Sequence, residues 1–199
     1  MNCLTFGSSI ARDLMYFDQI RQYEISGTPV TFEYAPFSGK SYEYFIRRPN
    51  KIDKVLSGNP DFILVIFGAN SISNKLKYKE EKKRLLLNCR TFYEILHKKV
   101  QLLCPKAVIV AHQLPLRFVY NKSHNTPDPE TFRLLRNYVN KKVSKLPTVD
   151  YILPIAGSDW TRLDHEEYFR DGIHFHCFAI EIQFELILKR LDFILSLRK

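Results

Sequence analysis

The sequence predicts an α/β fold, a three-layer α/β/α sandwich around a central, mainly parallel sheet. Three observations carry that expectation. Two apolar runs of strand length, Phe62–Phe67 and Ala107–Val110, are uninterrupted, as strands covered on both faces should be. Between them, roughly Lys79 to Leu103, apolar residues recur every three or four positions, which is the period of a helix. Strand and helix signals then alternate along the chain, the order that builds a parallel sheet.

Each element follows from local chemistry. Leu4–Phe6 reads as the end of a first strand, and Gly7-Ser8-Ser9 turns it into a helix carrying Ile10, Leu14 and Phe17 at helical spacing. Val30–Tyr34 alternates as a second strand and is closed by Pro36 and a Ser38-Gly39 loop. A looser helical stretch ends at Ser57-Gly58-Asn59-Pro60, strong turn punctuation before the Phe62 strand. The long helix carries Leu85, Cys89, Phe92, Leu96, Val100 and Leu103 as one stripe, and Pro105 stops it. Leu116–Thr126 reads as loop, and Asp128-Pro129 starts the next helix as N-cap and first-turn proline. Tyr151–Leu153 is the last expected strand, and a final helix runs from about Phe178 to Leu197.

At 199 residues the chain is expected to be one domain, residues 1–199, able to bury a core without disulfides or metals. Cys3, Cys89, Cys104 and Cys177 lie far apart with no Cys-x-x-Cys spacing, so reduced, mostly buried thiols are expected. The opening residues lack a basic region followed by an apolar one, so no secretory signal is read and an intracellular location, cytoplasmic or nuclear, is expected. No apolar run is long enough to span a membrane. Lys and Arg outnumber Asp and Glu by 30 to 21, a net charge of +9 that makes nucleic acid a candidate partner. The basic residues are dispersed rather than massed, however, and most, including those from Lys75 to Arg84, read as solvated helix faces.

Ligands of parallel α/β sheets bind beyond the carboxyl ends of the strands. Three groups of reactive residue types fall at or near that edge. Ser9 stands where the first strand passes into a helix, a position that exposes a hydroxyl beside helix-start N–H groups; the ordinary alternative is that Ser8 or Ser9 is an N-cap. Asn70, in Gly68-Ala69-Asn70 after the most apolar strand, can donate its amide to an oxyanion, or simply serve a turn. Asp171 and His174 lie three residues apart, so a carboxylate can hold one ring nitrogen while the other takes a hydroxyl proton; alternatively Asp171 sits in a surface turn and His174 packs beside Phe175. His176 is a competing base with poorer spacing, and His112, Trp160 and Tyr168 read as structural or substrate-side residues. No dinucleotide fingerprint, phosphate-binding Gly-Lys-Ser/Thr loop or His-Glu-x-x-His is present, so neither a cofactor nor a metal is expected.

Taken in order, these blocks resemble the SGNH hydrolases, the GDSL-like esterase and lipase family, over nearly the whole chain. The resemblance maps the four blocks to Ser9, Gly39, Asn70 and the pair Asp171 and His174. It implies a flavodoxin-like sheet arrangement and a catalytic triad of Ser9, His174 and Asp171. It also implies an oxyanion hole from the Ser9 N–H, the Gly39 N–H and the Asn70 side chain, with no cofactor. The substrates implied are small acyl esters such as sugar acetates, lipids or lysophospholipids. Two positions depart from the pattern: Ser8 stands where the first block usually has aspartate, and Ser71 replaces the aspartate that commonly follows the asparagine, which should loosen that turn. The four essential residue types remain, so activity is expected. The rival expectation is a non-catalytic RNA- or protein-binding module on the same scaffold, of mobile-element origin, consistent with the basic balance. An unrelated flavodoxin-like domain would instead leave Ser9 and His174 far apart.

Overall fold

The computed structural model describes residues 1–18, 23–73, 75–114, 127–154, 174 and 176–198. Its strands are β1 (Asn2–Gly7), β2 (Tyr23–Ile25), β3 (Thr28–Pro36), β4 (Phe62–Ile66), β5 (Val108–His112) and β6 (Tyr151–Leu153). The helices among the described residues are α1 (Ser9–Asp18), α2 (Tyr42–Ile46), α3 (Asn50–Leu56), α4 (Tyr78–Leu103), α5 (Pro129–Val143) and α6 (Cys177–Ser196). The expected Leu116–Thr126 loop lies outside the described residues.

The strands form one sheet in the order β2-β3-β1-β4-β5-β6. From β3 to β6 all pairings are parallel, and among the described strands only β2 runs antiparallel, against β3. The expected mainly parallel α/β architecture is therefore present. What the sequence reading lacked is the β2–β3 hairpin, closed by Ser26 (φ 50°) and Gly27 (φ 78°) between the paired residues Ile25 and Thr28. A two-residue turn with both φ values positive matches the right-handed twist of the strands it joins.

Burial on both faces of β4 defines the three layers. Ile63, Val65 and Phe67 point into a core shared with α2, α3, α4 and α5. Phe62, Leu64 and Ile66 point into the opposite core, with Ile10 and Leu14 of α1 and Ala179, Phe184 and Ile187 of α6. The period-two alternation of a strand thus serves two helical layers. At the carboxyl end of β1 the first core becomes aromatic: the Phe6 ring lies 4.8 Å from Phe67 and 5.0 Å from Phe45, both edge-on. Phe92 of α4 completes the group, 5.9 Å from Phe67. Each such fully buried ring contributes about 2 kcal/mol by leaving water. That cluster packs at the ends of β1 and β4, directly ahead of Gly7 and Gly68.

Asp128 caps α5 as expected, its side chain accepting from the Thr131 N–H at 3.0 Å, with Pro129 in the first turn. Cys3, Cys89 and Cys104 are buried, Cys177 is exposed, and all four are free thiols. No described helix is long and apolar enough to cross a membrane.

Candidate active site

The parallel strands end together at one edge, and a ring of hydrogen bonds ties those ends to one another. The Ser8 N–H donates to the carbonyl of Ile66 at 3.0 Å, fastening the β1–α1 turn to β4. The Phe37 N–H donates to the Gly7 carbonyl at 2.6 Å, fastening the loop after β3 to β1. Lys40 N–H donates to the Phe37 carbonyl at 3.1 Å, and the Lys40 carbonyl in turn accepts from the Asn70 side-chain amide at 3.3 Å. Asn70 sits in a 3-10 turn, Ala69–Ser71, directly after β4. The ring closes because β1 and β4 are neighbours in the sheet. It gathers the Ser9, Gly39 and Asn70 blocks at the same edge.

Within that frame the two serines differ. Ser8 is buried and its backbone N–H is committed to β4, while Ser9, the first residue of α1, is only partly covered. The ten-residue helix behind Ser9 carries no acidic residue of its own in its first turn, which leaves its positive end favourable to negative charge. Gly39 is exposed at φ +74°, a left-handed backbone that turns the loop over the sheet edge.

His174 lies three residues ahead of α6 and is partly buried. The far end of α6 is at the opposite edge of the sheet, where Asp192 accepts from the Ser26 hydroxyl in the β2–β3 turn. Arg198 there lines a cavity with Asp150 and Ala107, at the starts of β6 and β5. A 20-residue helix spans about 30 Å. Its first turn, and His174 before it, therefore fall on the side where Ser9 stands. Asp171 lies outside the described residues, as do Trp160 and Tyr168. His176 is exposed and occupies the N-cap position of α6 without a side-chain cap bond.

His112 ends β5, is buried, and contacts the Gln113 carbonyl through Nδ1. Burial pushes its pKa down to about 4; hydrogen bonds with Gln113 and Gln183 oppose that shift and the Arg136 charge adds to it. The unfolded chain binds a proton near the ordinary value of 6.5, whereas the folded chain resists it until about 4. Stability from this group is thus intact above the upper value and lost as pH falls toward the lower one, by on the order of 3 kcal/mol. Chemical denaturation at about pH 7 and about pH 4.5 should show that loss, and a His112→Asn variant should lose less over the same interval. Equal losses in both proteins would refute the assignment.

A second set of residues, not foreseen from the sequence, holds the Asn70 turn. Tyr42, buried at the start of α2, donates its hydroxyl to the Phe67 carbonyl at 3.0 Å, and its N–H donates to Ser71 Oγ at 2.9 Å. Arg84 of α4 pairs with Glu43 and with Glu81 and also donates to the Ser71 carbonyl. Glu43 accepts from Asn88 at 2.6 Å, and Glu81 accepts from the Ser73 N–H at 2.8 Å. Burial alone would raise the Glu81 carboxyl, but the hydrogen bonds and charge of Arg84 and the Ser73 N–H outweigh it and hold the group below its ordinary value. Ser71 is buried and held through both its side chain and its carbonyl, so the looser turn expected from the missing aspartate is not found. Arg84 likewise departs from the expected solvated basic face. Its partner Glu43 is 41 residues away in sequence, and no local pattern announces the pair.

No protein-family model matches this sequence, and comparison with curated proteins gives no match. Solved structures do match over nearly the whole chain. A lipase/acylhydrolase from Enterococcus faecalis superposes with TM-score 0.59 at 19% identity, covering 96% of this chain and 95% of the other. A GDSL-like lipase from Bacteroides thetaiotaomicron gives 0.57 at 14% identity, covering 96% and 88%. An acetylxylan esterase from Geobacillus stearothermophilus gives 0.57 at 14% identity, covering 94% and 92%. At such identities the likeness is one of architecture, and the chain has the SGNH-hydrolase fold, the α/β sandwich of GDSL-like lipases, acylhydrolases and acetylxylan esterases.

Proposed function

We propose that this protein is a serine esterase that cleaves small carboxylic esters through an acyl-enzyme. The observation that carries the proposal is the ring of hydrogen bonds joining the Ser9 turn, the Gly39 loop and the Asn70 turn at the sheet edge from which α6 departs. In this reading Ser9 Oγ attacks the ester carbonyl carbon while His174 accepts the hydroxyl proton and Asp171 orients the ring. The carbonyl electron pair moves onto oxygen, and the N–H groups of Ser9 and Gly39 with the Asn70 amide stabilise that oxyanion. Collapse expels the alcohol, which takes the proton from His174. Water then repeats the sequence on the acyl-serine and releases the carboxylic acid. Sugar acetates, lipids and lysophospholipids are the substrate classes in view, and the likeness to lipases, an acylhydrolase and an acetylxylan esterase supports ester hydrolysis in general.

A fluorophosphonate probe tests nucleophile and activation together. Covalent labelling that maps to the peptide containing Ser9, and that is abolished by prior denaturation, is the expected result. Labelling elsewhere, or none, would overturn the reading. The net charge of +9 favours one other function, a non-catalytic module that binds RNA or a protein. It requires RNA binding that weakens steeply with salt and ignores Ser9→Ala, together with no ester turnover.

A further inference from the structure

Beside Asn70 opens a cavity of about 490 Å³, within the size range of small-molecule sites. Its walls include Glu43, Arg47, Asn70, Lys75, Arg84 and Asn88. The charges on those walls are unevenly matched. Arg84 is neutralised by Glu43 and Glu81, and Glu43, the one carboxylate among the described lining residues, is already taken by Arg84 and Asn88. Arg47 and Lys75 have no carboxylate partner among the described residues and approach from two elements, the end of α2 and the segment ahead of α4. Lys40, whose carbonyl accepts from Asn70, is not among the lining residues and rests its Nζ 5.0 Å from the centre of the Tyr44 ring.

We propose that this cavity receives an anionic group of the substrate, a phosphate, sulfate or carboxylate on the half of the ester that extends past Asn70. The proposal rests on the esterase reading and narrows it to charged esters. A neutral sugar acetate would leave Arg47 and Lys75 without a counter-charge, whereas a compact oxyanion pairs with both while Asn70 holds the reacting carbonyl. Partly exposed ion pairs of this kind are modest individually and fade with salt, so the signature is a preference at low ionic strength rather than tight binding.

The experiment compares two pairs of esters in the wild-type protein. One pair is p-nitrophenyl hemisuccinate and p-nitrophenyl butyrate, with the charge on the acyl half. The other is acetyl-glycerol 3-phosphate and glycerol monoacetate, with the charge on the alcohol half. At least one charged ester should exceed its neutral counterpart about 10-fold in kcat/KM at low salt. That ratio should fall toward one in the Arg47→Ala/Lys75→Ala variant and persist in Lys141→Ala/Lys145→Ala, which makes the same charge change on α5 and the residues following it. Calorimetric titration with glycerol 3-phosphate and with succinate is the second readout: saturable binding of one, lost in the first variant and kept in Ser9→Ala, supports the site. Turnover without either the preference or the binding overturns this inference and leaves the esterase standing. Binding without any turnover keeps the anion site and removes the esterase reading, and absence of both removes both.

Discussion

Replacing Ser9 with alanine should lower kcat/KM toward a short-chain p-nitrophenyl ester by about 10³-fold or more, with the melting curve unchanged. The two halves of that expectation have separate causes. Chemistry is lost because alanine offers no oxygen to form the acyl intermediate, and the remaining oxyanion donors give only the rate that binding and polarisation supply without a nucleophile. Folding is spared because the bond that fastens this turn to β4 runs from the backbone of Ser8, not from Ser9. Alanine is also the best helix former, and position 9 is the first residue of α1. Ser8→Ala is the matched control: it keeps the same backbone bond and should retain turnover. Hydrolysis that survives in Ser9→Ala, or that disappears equally in Ser8→Ala, would assign the nucleophile elsewhere and dismantle the proposed mechanism.

Elements with a strong period were legible before any coordinates. Phe62–Ile66 and the α4 stripe from Leu85 to Val100 are determined by burial on known faces, and the Asp128-Pro129 start of α5 by a local cap, so sequence neighbours alone carry the information. Leu103, expected to close that stripe, is instead exposed at the end of the helix. The β2–β3 hairpin escaped because β2 has three residues, too few to show alternation, although Ser26-Gly27 is a recognisable two-residue turn. The site divides in the same way. Ser9 and Asn70 stand at strand ends, which is a local property, so they could be named. Gly39 took its place only from the family resemblance, since one loop glycine has no signature of its own. The network of Tyr42, Glu43, Ser71, Glu81 and Arg84 was invisible because its bonds join residues up to 41 positions apart. Such pairs are products of topology: they exist because α2 and α4 pack on the same face of the sheet.

That network also identifies the backbone position on which the Asn70 turn depends most. Gly68 links β4 to the turn at φ +124°, where L side chains are rarely found, and its carbonyl accepts from the Ser71 N–H at 2.9 Å. A Cβ added there would lie 2.5 Å from the Tyr42 hydroxyl oxygen and 2.8 Å from Leu114 Cδ2. Gly68→Ala therefore meets three costs at once. The backbone conformation costs on the order of 1–3 kcal/mol, and forcing a methyl into a filled space costs a similar amount. Moving Tyr42 to relieve the clash breaks its hydrogen bond to the Phe67 carbonyl and strands two buried polar groups, at about 1–3 kcal/mol more. The terms overlap, because one movement relieves part of another, so a total of about 4 kcal/mol is expected, a large share of the stability of a domain this size. Denaturant titration should show the midpoint falling accordingly. Tyr42→Phe separates the contributions: it removes the hydroxyl that the new methyl strikes, so the Gly68→Ala/Tyr42→Phe pair should lose less than the two single variants added together. Strict additivity would mean that the clash is relieved by the backbone instead. In that case the Asn70 turn itself must shift, and the double variant should lose ester turnover in proportion.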